Sequence, residues 1–296
     1  MTINFDELTA EVESQLFYLP IPVGTYENIE VALYDQNDLK TVATTVSTST
    51  KEIARAQMIG FSFQPADLPV KVGDRGYESI EVALGATTGD VTLSLGEGTY
   101  YIPEAGLSGR NVVFEGASKE GTIVDMSVIS GTPQYGAASV TFKNLTMKRK
   151  AEAYGGLTHS SAEKYDNCII EGTLVTYAPL VEVKNSSFVP AANEYYNVHI
   201  YSTGTSTFEN CTFETDACRA VYAHAESAVE MNISFDGCTF KSNTDAGKDF
   251  RWHQAIRLHT ELGIYGTLSI NNCSVNENGN FNPQGMLTRA EMATVI

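Results

Sequence analysis

Two short motifs hold the residues best suited to chemistry, His224-Ala225-Glu226 and His259-Thr260-Glu261. Each continues a four-residue alternation, Val221-Tyr222-Ala223-His224 and Ile256-Arg257-Leu258-His259, so the two read as equivalent strands. Strands paired side by side lie about 4.8 Å apart, which would set imidazole beside imidazole and carboxylate beside carboxylate. Two carboxyls about 5 to 5.5 Å apart are spaced for glycosidic hydrolysis with retention, since their mutual repulsion raises one pKa and keeps an acid at hand. The plainer expectation is that Glu226 and Glu261 open exposed turns and never converge. Zinc would accept two His and two Glu, yet the His-Glu-x-x-His spacing that fixes such a site is missing, and no metal or other cofactor is implied.

Such residues need a scaffold, and a period of two says how it faces. Strands of the same kind occur at Leu174 to Tyr177 and at Val198 to Tyr201. Alternation sends Val198, Ile200, Val221, Ala223, Ile256 and Leu258 inward and His199, Tyr201, Tyr222, His224, Arg257 and His259 outward. Stacked, the outward rows read His199, Tyr222, Arg257 and Tyr177, Tyr201, His224, His259. Aromatic rings lie against the apolar faces of sugars while Tyr and His tips bond hydroxyls, so the expected ligand is an elongated, neutral or mildly anionic glycan. Trp252, the only Trp, belongs to the insertion from Lys241 to Gln254 and is expected to overhang the same face. The competing expectation is that these rows stabilise the scaffold by stacking on themselves.

What stacks the strands is a repeat. Ser206-Thr-Phe-Glu-Asn-Cys-Thr-Phe213 recurs around Asn144, Asn167, Asn185, Gly237 and Asn272, with a weaker forerunner at Gly116. Each copy runs apolar, polar, Asn or Gly, small or apolar, β-branched or small polar, apolar, which reads as two short strands meeting at a one-residue bend. Asn and Gly enter the left-handed region most cheaply, so the fixed position marks a tight corner. From Asn144 onward the corners stand 23, 18, 25, 27 and 35 residues apart. Self-similarity at that period, in strands, means a solenoid. Cys168, Cys211, Cys238 and Cys273 all fall on the residue after the corner, a slot that Leu145 and Ser186 fill elsewhere, so they are expected as inward free thiols rather than bridges. Cys218 lies outside this column. Asn144, Asn185, Asn210, Asn232 and Asn272 begin Asn-x-Ser/Thr sequons, four of them at corners, so structural work is expected there rather than glycosylation.

The chain has 296 residues and a net charge of −17, from 19 basic and 36 acidic side chains. That balance opposes binding to nucleic acid and disfavours anionic membranes. Residues 1 to 20 hold Asp6, Glu7, Glu11 and Glu13 without a basic start and an apolar run, so no signal peptide is expected, and no stretch is apolar enough for membrane insertion. Residues 1–70 do not carry the repeat; Ile29 to Val46 reads as two strands with a polar turn and Met58 to Phe63 as a third, part of a sandwich or a cap. Tyr26-Glu-Asn-Ile-Glu-Val-Ala-Leu33 recurs as Tyr77-Glu-Ser-Ile-Glu-Val-Ala-Leu84, a local duplication whose copies need not share a structure.

The repeats resemble those of the right-handed parallel β-helix family typified by pectate lyases. That resemblance implies an all-β fold of three-strand coils over residues 77–276, an asparagine ladder at one corner, and polysaccharide binding on the face of His199, Tyr222 and Arg257. The family hosts lyases, hydrolases, esterases, phage spikes and adhesins, so it says little about the reaction. Arg257 is the one residue of that face able to mimic a lyase's catalytic arginine; the paired Asp, esterase and calcium-binding motifs are missing. After Val275, the Phe281 and Pro283 that precede Thr288-Arg289-Ala290-Glu291 resemble the second half of a surface-layer homology repeat, in which Arg289 would help bind cell-wall glycan. The Thr288-x-x-Glu291 box also opens an amphipathic helix that would plug the solenoid's end. The expectation overall is an extracellular or cell-surface β-helix module that binds carbohydrate without catalysis, with a polysaccharide lyase or glycoside hydrolase as the alternative. Its candidate acid, base and electrostatic groups would be Glu226, Glu261, His224, His259 and Arg257. The sequence fixes no oligomeric state.

Overall fold

Asn144, Asn167, Asn185, Asn210 and Asn272 all adopt the left-handed conformation, with φ between 51° and 54°, and Gly237 takes the same corner at 64°. These are the repeat positions, and in a computed structural model of the chain each turns one strand into the next. The structure describes residues 21–27, 29–34, 40–47, 50–55, 68–73, 75–103, 105–127, 135–149, 160–190, 196–201, 203–215, 219–224, 228–242, 255–259 and 264–275. The expected strand over 58–63, Cys218, and the C-terminal helix lie outside them. Two compact units divide the chain at Ala66 and Asp67.

The larger unit is a parallel β-helix. Strands that precede the corner, from Val91–Leu95 to Ile264–Asn271, pair in parallel and in register. Strands that follow it, from Gly98–Tyr100 to Ser274–Val275, build a second, eight-stranded sheet. A third sheet has four strands, Leu174–Thr176, Tyr196–Ile200, Arg219–His224 and Ile256–His259. Because each strand pairs only with its neighbours on adjacent coils, the core is a set of columns. Phe114, Phe142 and Tyr165 stack at 5.4 and 5.3 Å, Phe208 and Phe235 at 5.0 Å. Across the corner, Phe188, Phe213 and Phe240 stack at 4.7 and 4.9 Å.

The corner residues bond along the axis as well as bending the chain. Asn144 donates its Nδ2 to the Gly116 carbonyl, and Asn167 donates to Asn144 Oδ1, both at 2.9 Å. Asn185 and Asn272 instead reach the side chains of Asp166 and Asp236. The post-corner slot is inward as expected: Leu145, Cys168, Ser186, Cys211 and Cys238 are at most 1% exposed. Cys273 departs from the buried column. It occupies the last described rung and is partly exposed.

One inward position breaks the apolar rule. Register aligns Val112, Val140, Glu163, Val181, Ser206 and Ile233, so Glu163 points into the core and is 1% exposed. Tyr165 donates to its Oε2 at 3.2 Å, while burial pushes the carboxyl up to about 7 against the opposing pull of Arg149 and Thr176. Arg149, 4% exposed, spends one guanidinium N–H on the Val175 carbonyl.

At the N-terminal end of the pre-corner sheet, Val70–Val72 pairs antiparallel with Val91–Leu95 and with Arg75–Tyr77. Helix Ile80–Gly85 follows, its first turn capped by the Ser79 hydroxyl accepting from the Val82 amide. In the smaller unit, Ile29–Tyr34 pairs antiparallel with Lys40–Ser47, and Gly24–Tyr26 with Lys51–Ile53.

Candidate functional site

The third sheet positions the expected face. Register places His199 beside Tyr222 and Tyr222 beside Arg257, and sets His224 beside His259. The second row continues through ring contacts, Tyr177 to Tyr201 at 5.0 Å, Tyr201 to His224 at 5.5 Å and His224 to His259 at 4.9 Å. Both rows therefore stand as alternation orders them. Inward, Val198, Ile200, Val221 and Ala223 are buried, and Ile256 and Leu258 pack against the same core.

Exposure within the rows is uneven. His199 is fully buried, held among Tyr196, Tyr201, Tyr222 and His224 at ring separations of 5.3, 5.4, 5.1 and 6.2 Å. Tyr222 is 8% exposed, and its hydroxyl hydrogen-bonds His259 Nδ1. The surface of the face is made by Tyr177, Tyr201, His224, Arg257 and His259, all half-buried. His199 thus supports this layer from below rather than forming part of it.

Sequence reasoning missed two members. Tyr196 stacks on Tyr222 at 4.7 Å, and the Arg219 guanidinium lies 5.3 Å from the Tyr222 ring and 6.0 Å from that of Tyr196. Both share the parity of the inward Val198 and Val221, so strict alternation assigns them to the core. They open their strands, where the pleat has not yet settled, and their side chains reach the outer layer instead. Arg257 covers Tyr222 from the next rung at 5.9 Å. Cations over ring faces are held by the ring quadrupole, most strongly where water is displaced, as it is around the 4% exposed Arg219.

Chemically this is a cationic and aromatic surface on a chain of net charge −17. It offers imidazole and phenol tips for hydrogen bonding and a guanidinium for anionic groups, along rungs about 4.8 Å apart. Among the described residues no group of three or more His, Cys, Asp or Glu could hold a metal ion. The carboxylates Glu226 and Glu261, the loop residue Trp252 and the cell-wall candidate Arg289 lie outside the described residues. Of the two His-x-Glu pairs, the structure brings the imidazoles together.

One comparison with known families bears on the C-terminal end of the chain. The family model for the S-layer homology domain matches residues 274–293, starting on the last described solenoid strand, Ser274–Val275. The match takes in Thr288-Arg289-Ala290-Glu291 and points to a cell-surface or S-layer-associated protein. No curated protein matches the chain. Among the described residues no helix is long and apolar enough to cross a membrane.

Proposed function

We propose that the chain is a non-catalytic cell-surface module that binds an elongated glycan along the outer face of the third sheet. The observation that carries this reading is the half-buried row of Tyr177, Tyr201, His224 and His259, flanked by Arg257, which repeats from rung to rung in step with the solenoid. A linear ligand laid along the axis meets the same chemistry several times. Deep packing of His199, Tyr196 and Arg219 beneath the row holds the rings in place before binding, which lowers the ordering cost of recognition. The local guanidinium and imidazole groups favour a neutral or mildly anionic chain despite the acidic remainder of the protein. The S-layer homology segment would separately engage cell-wall glycan through Arg289.

A glycan array probed with the 296-residue chain tests the reading. Binding should weaken about tenfold or more in Arg257→Ala and Trp252→Ala, about 1 to 3 kcal/mol for loss of an anchoring side chain, with melting temperature nearly unchanged in Trp252→Ala. Unaltered affinity in both variants would remove this face from consideration. The alternative is cleavage at the same face by a polysaccharide lyase or hydrolase. Release of unsaturated products or new reducing ends that disappears in Arg257→Ala would replace binding with catalysis.

A further inference from the structure

The slot after the corner holds thiols on three consecutive rungs, Cys211, Cys238 and Cys273. Flanking pairs fix their register, Thr212 with Thr239 and Thr239 with Ser274. All three are free. Neighbouring rungs lie about 4.8 Å apart, within the roughly 4.4 to 6.8 Å between Cα atoms that a disulfide bridges. Each thiol is held by backbone carbonyls, Cys211 by Glu209 and Val183, Cys238 by Phe208 and Asp236, and Cys273 by Asn271. Exposure separates them, since Cys211 and Cys238 are each 1% exposed and Cys273 is partly open. Cys168 stands apart. Ser186 fills the rung between it and Cys211, donating its hydroxyl to the Lys184 carbonyl and accepting the Cys168 amide.

We propose that Cys273 and Cys238 form a thiol–disulfide exchange site that takes a low-molecular-weight disulfide and closes an inter-coil bond. The Cys273 thiolate attacks the external disulfide, whose S–S bond breaks; one half stays on Cys273 and the other leaves as a thiolate. Cys238 then loses its proton and attacks the Cys273 Sγ. The second half departs, and the Cys238–Cys273 bond forms. Two protein thiols lose two electrons and two protons, and one external disulfide gains them to become two thiols. Cys238 suits the second attack because it stands one rung from Cys273 in the same post-corner slot. Burial closes Cys211 to the external disulfide. Cys211 is also two rungs from Cys273, about 9.6 Å, too far to compete. A cell-surface setting is one in which such bonds form and persist.

The test uses the folded chain carrying Cys218→Ser, which leaves four cysteines of the original five. After incubation with excess glutathione disulfide, thiols counted in denaturant should fall from four to two, and peptide mapping should join Cys238 to Cys273. Adding Cys168→Ser should leave the reaction unchanged, while Cys273→Ser should abolish it. Four surviving thiols, a glutathione adduct left standing on Cys273, or a bond at Cys211 overturns the proposal. Should Cys273→Ser disturb the last coil, the peptide map of the parent chain decides alone.

Discussion

Glu163 shows how far one residue can depart from its column without breaking the fold. Its neighbours along the axis are valines, and a carboxylate there is tolerable chiefly as the neutral acid, which is why burial lifts it from an ordinary 4.5 to about 7. A raised folded pKa means the unfolded chain gives up its proton first. Stability is therefore fully present below about 4.5 and falls as pH rises to about 7, by about 3 kcal/mol for this one group. Glu163→Gln should remove that fall. In urea titrations, whatever fixed offset the substitution brings, the variant should gain about 3 kcal/mol on the parent between pH 4.5 and pH 8. A constant gap across that range would show that folding does not raise the Glu163 pKa. This position was legible by parity alone, since it lies two residues before the inward Tyr165, but a charged residue in a strand reads as solvent-facing unless its partners are known. Tyr196 and Arg219 were hidden for the opposite reason, having inward parity and outward contacts.

Elements differ in how much of their structure is written locally. The corners are almost entirely local, because the demand is for positive φ at one position and only Gly and Asn meet it cheaply. Asn167→Ala should cost about 2 kcal/mol, combining the left-handed strain of about 1 to 2 kcal/mol with loss of the bond to Asn144. Asn167→Gly should recover the conformational share and not the bond. Equal losses in chemical denaturation of the two variants would place the whole effect in the ladder. The duplicated octapeptide is the contrary case. Ile-Glu-Val-Ala-Leu is strand at 29–33 and helix at 80–84, so the same five residues carry no decision of their own. At the second copy Ser79 caps the helix, and Ile80, Ala83 and Leu84 turn onto the core, a helical spacing. At the first, pairing with Lys40–Ser47 imposes the extended form. Context of that kind is not visible in a short window. The third-sheet strands were legible by alternation from their second or third residue onward and illegible at their first.

Across the whole molecule, what the repeat encodes is one-dimensional order: each coil touches the coil before and the coil after. The aromatic face of the third sheet follows that axis without altering it. Such a stack responds to tension as a zip does, not as a globule. If residues 274–293 are the point of attachment, load enters at the last described coil, whose strands pair with the coil before it. Pulling from that end should peel coils singly, giving a sawtooth with steps of about 60 to 120 Å, at about 3.4 Å for each residue of coils whose corners stand 18 to 35 residues apart. One step of full length in single-molecule force spectroscopy would show instead that the coils yield together. Sequential peeling makes the solenoid a shock absorber. Each lost coil dissipates work and leaves the next intact, so a tethered protein can lengthen under shear without losing the rungs farthest from its anchor.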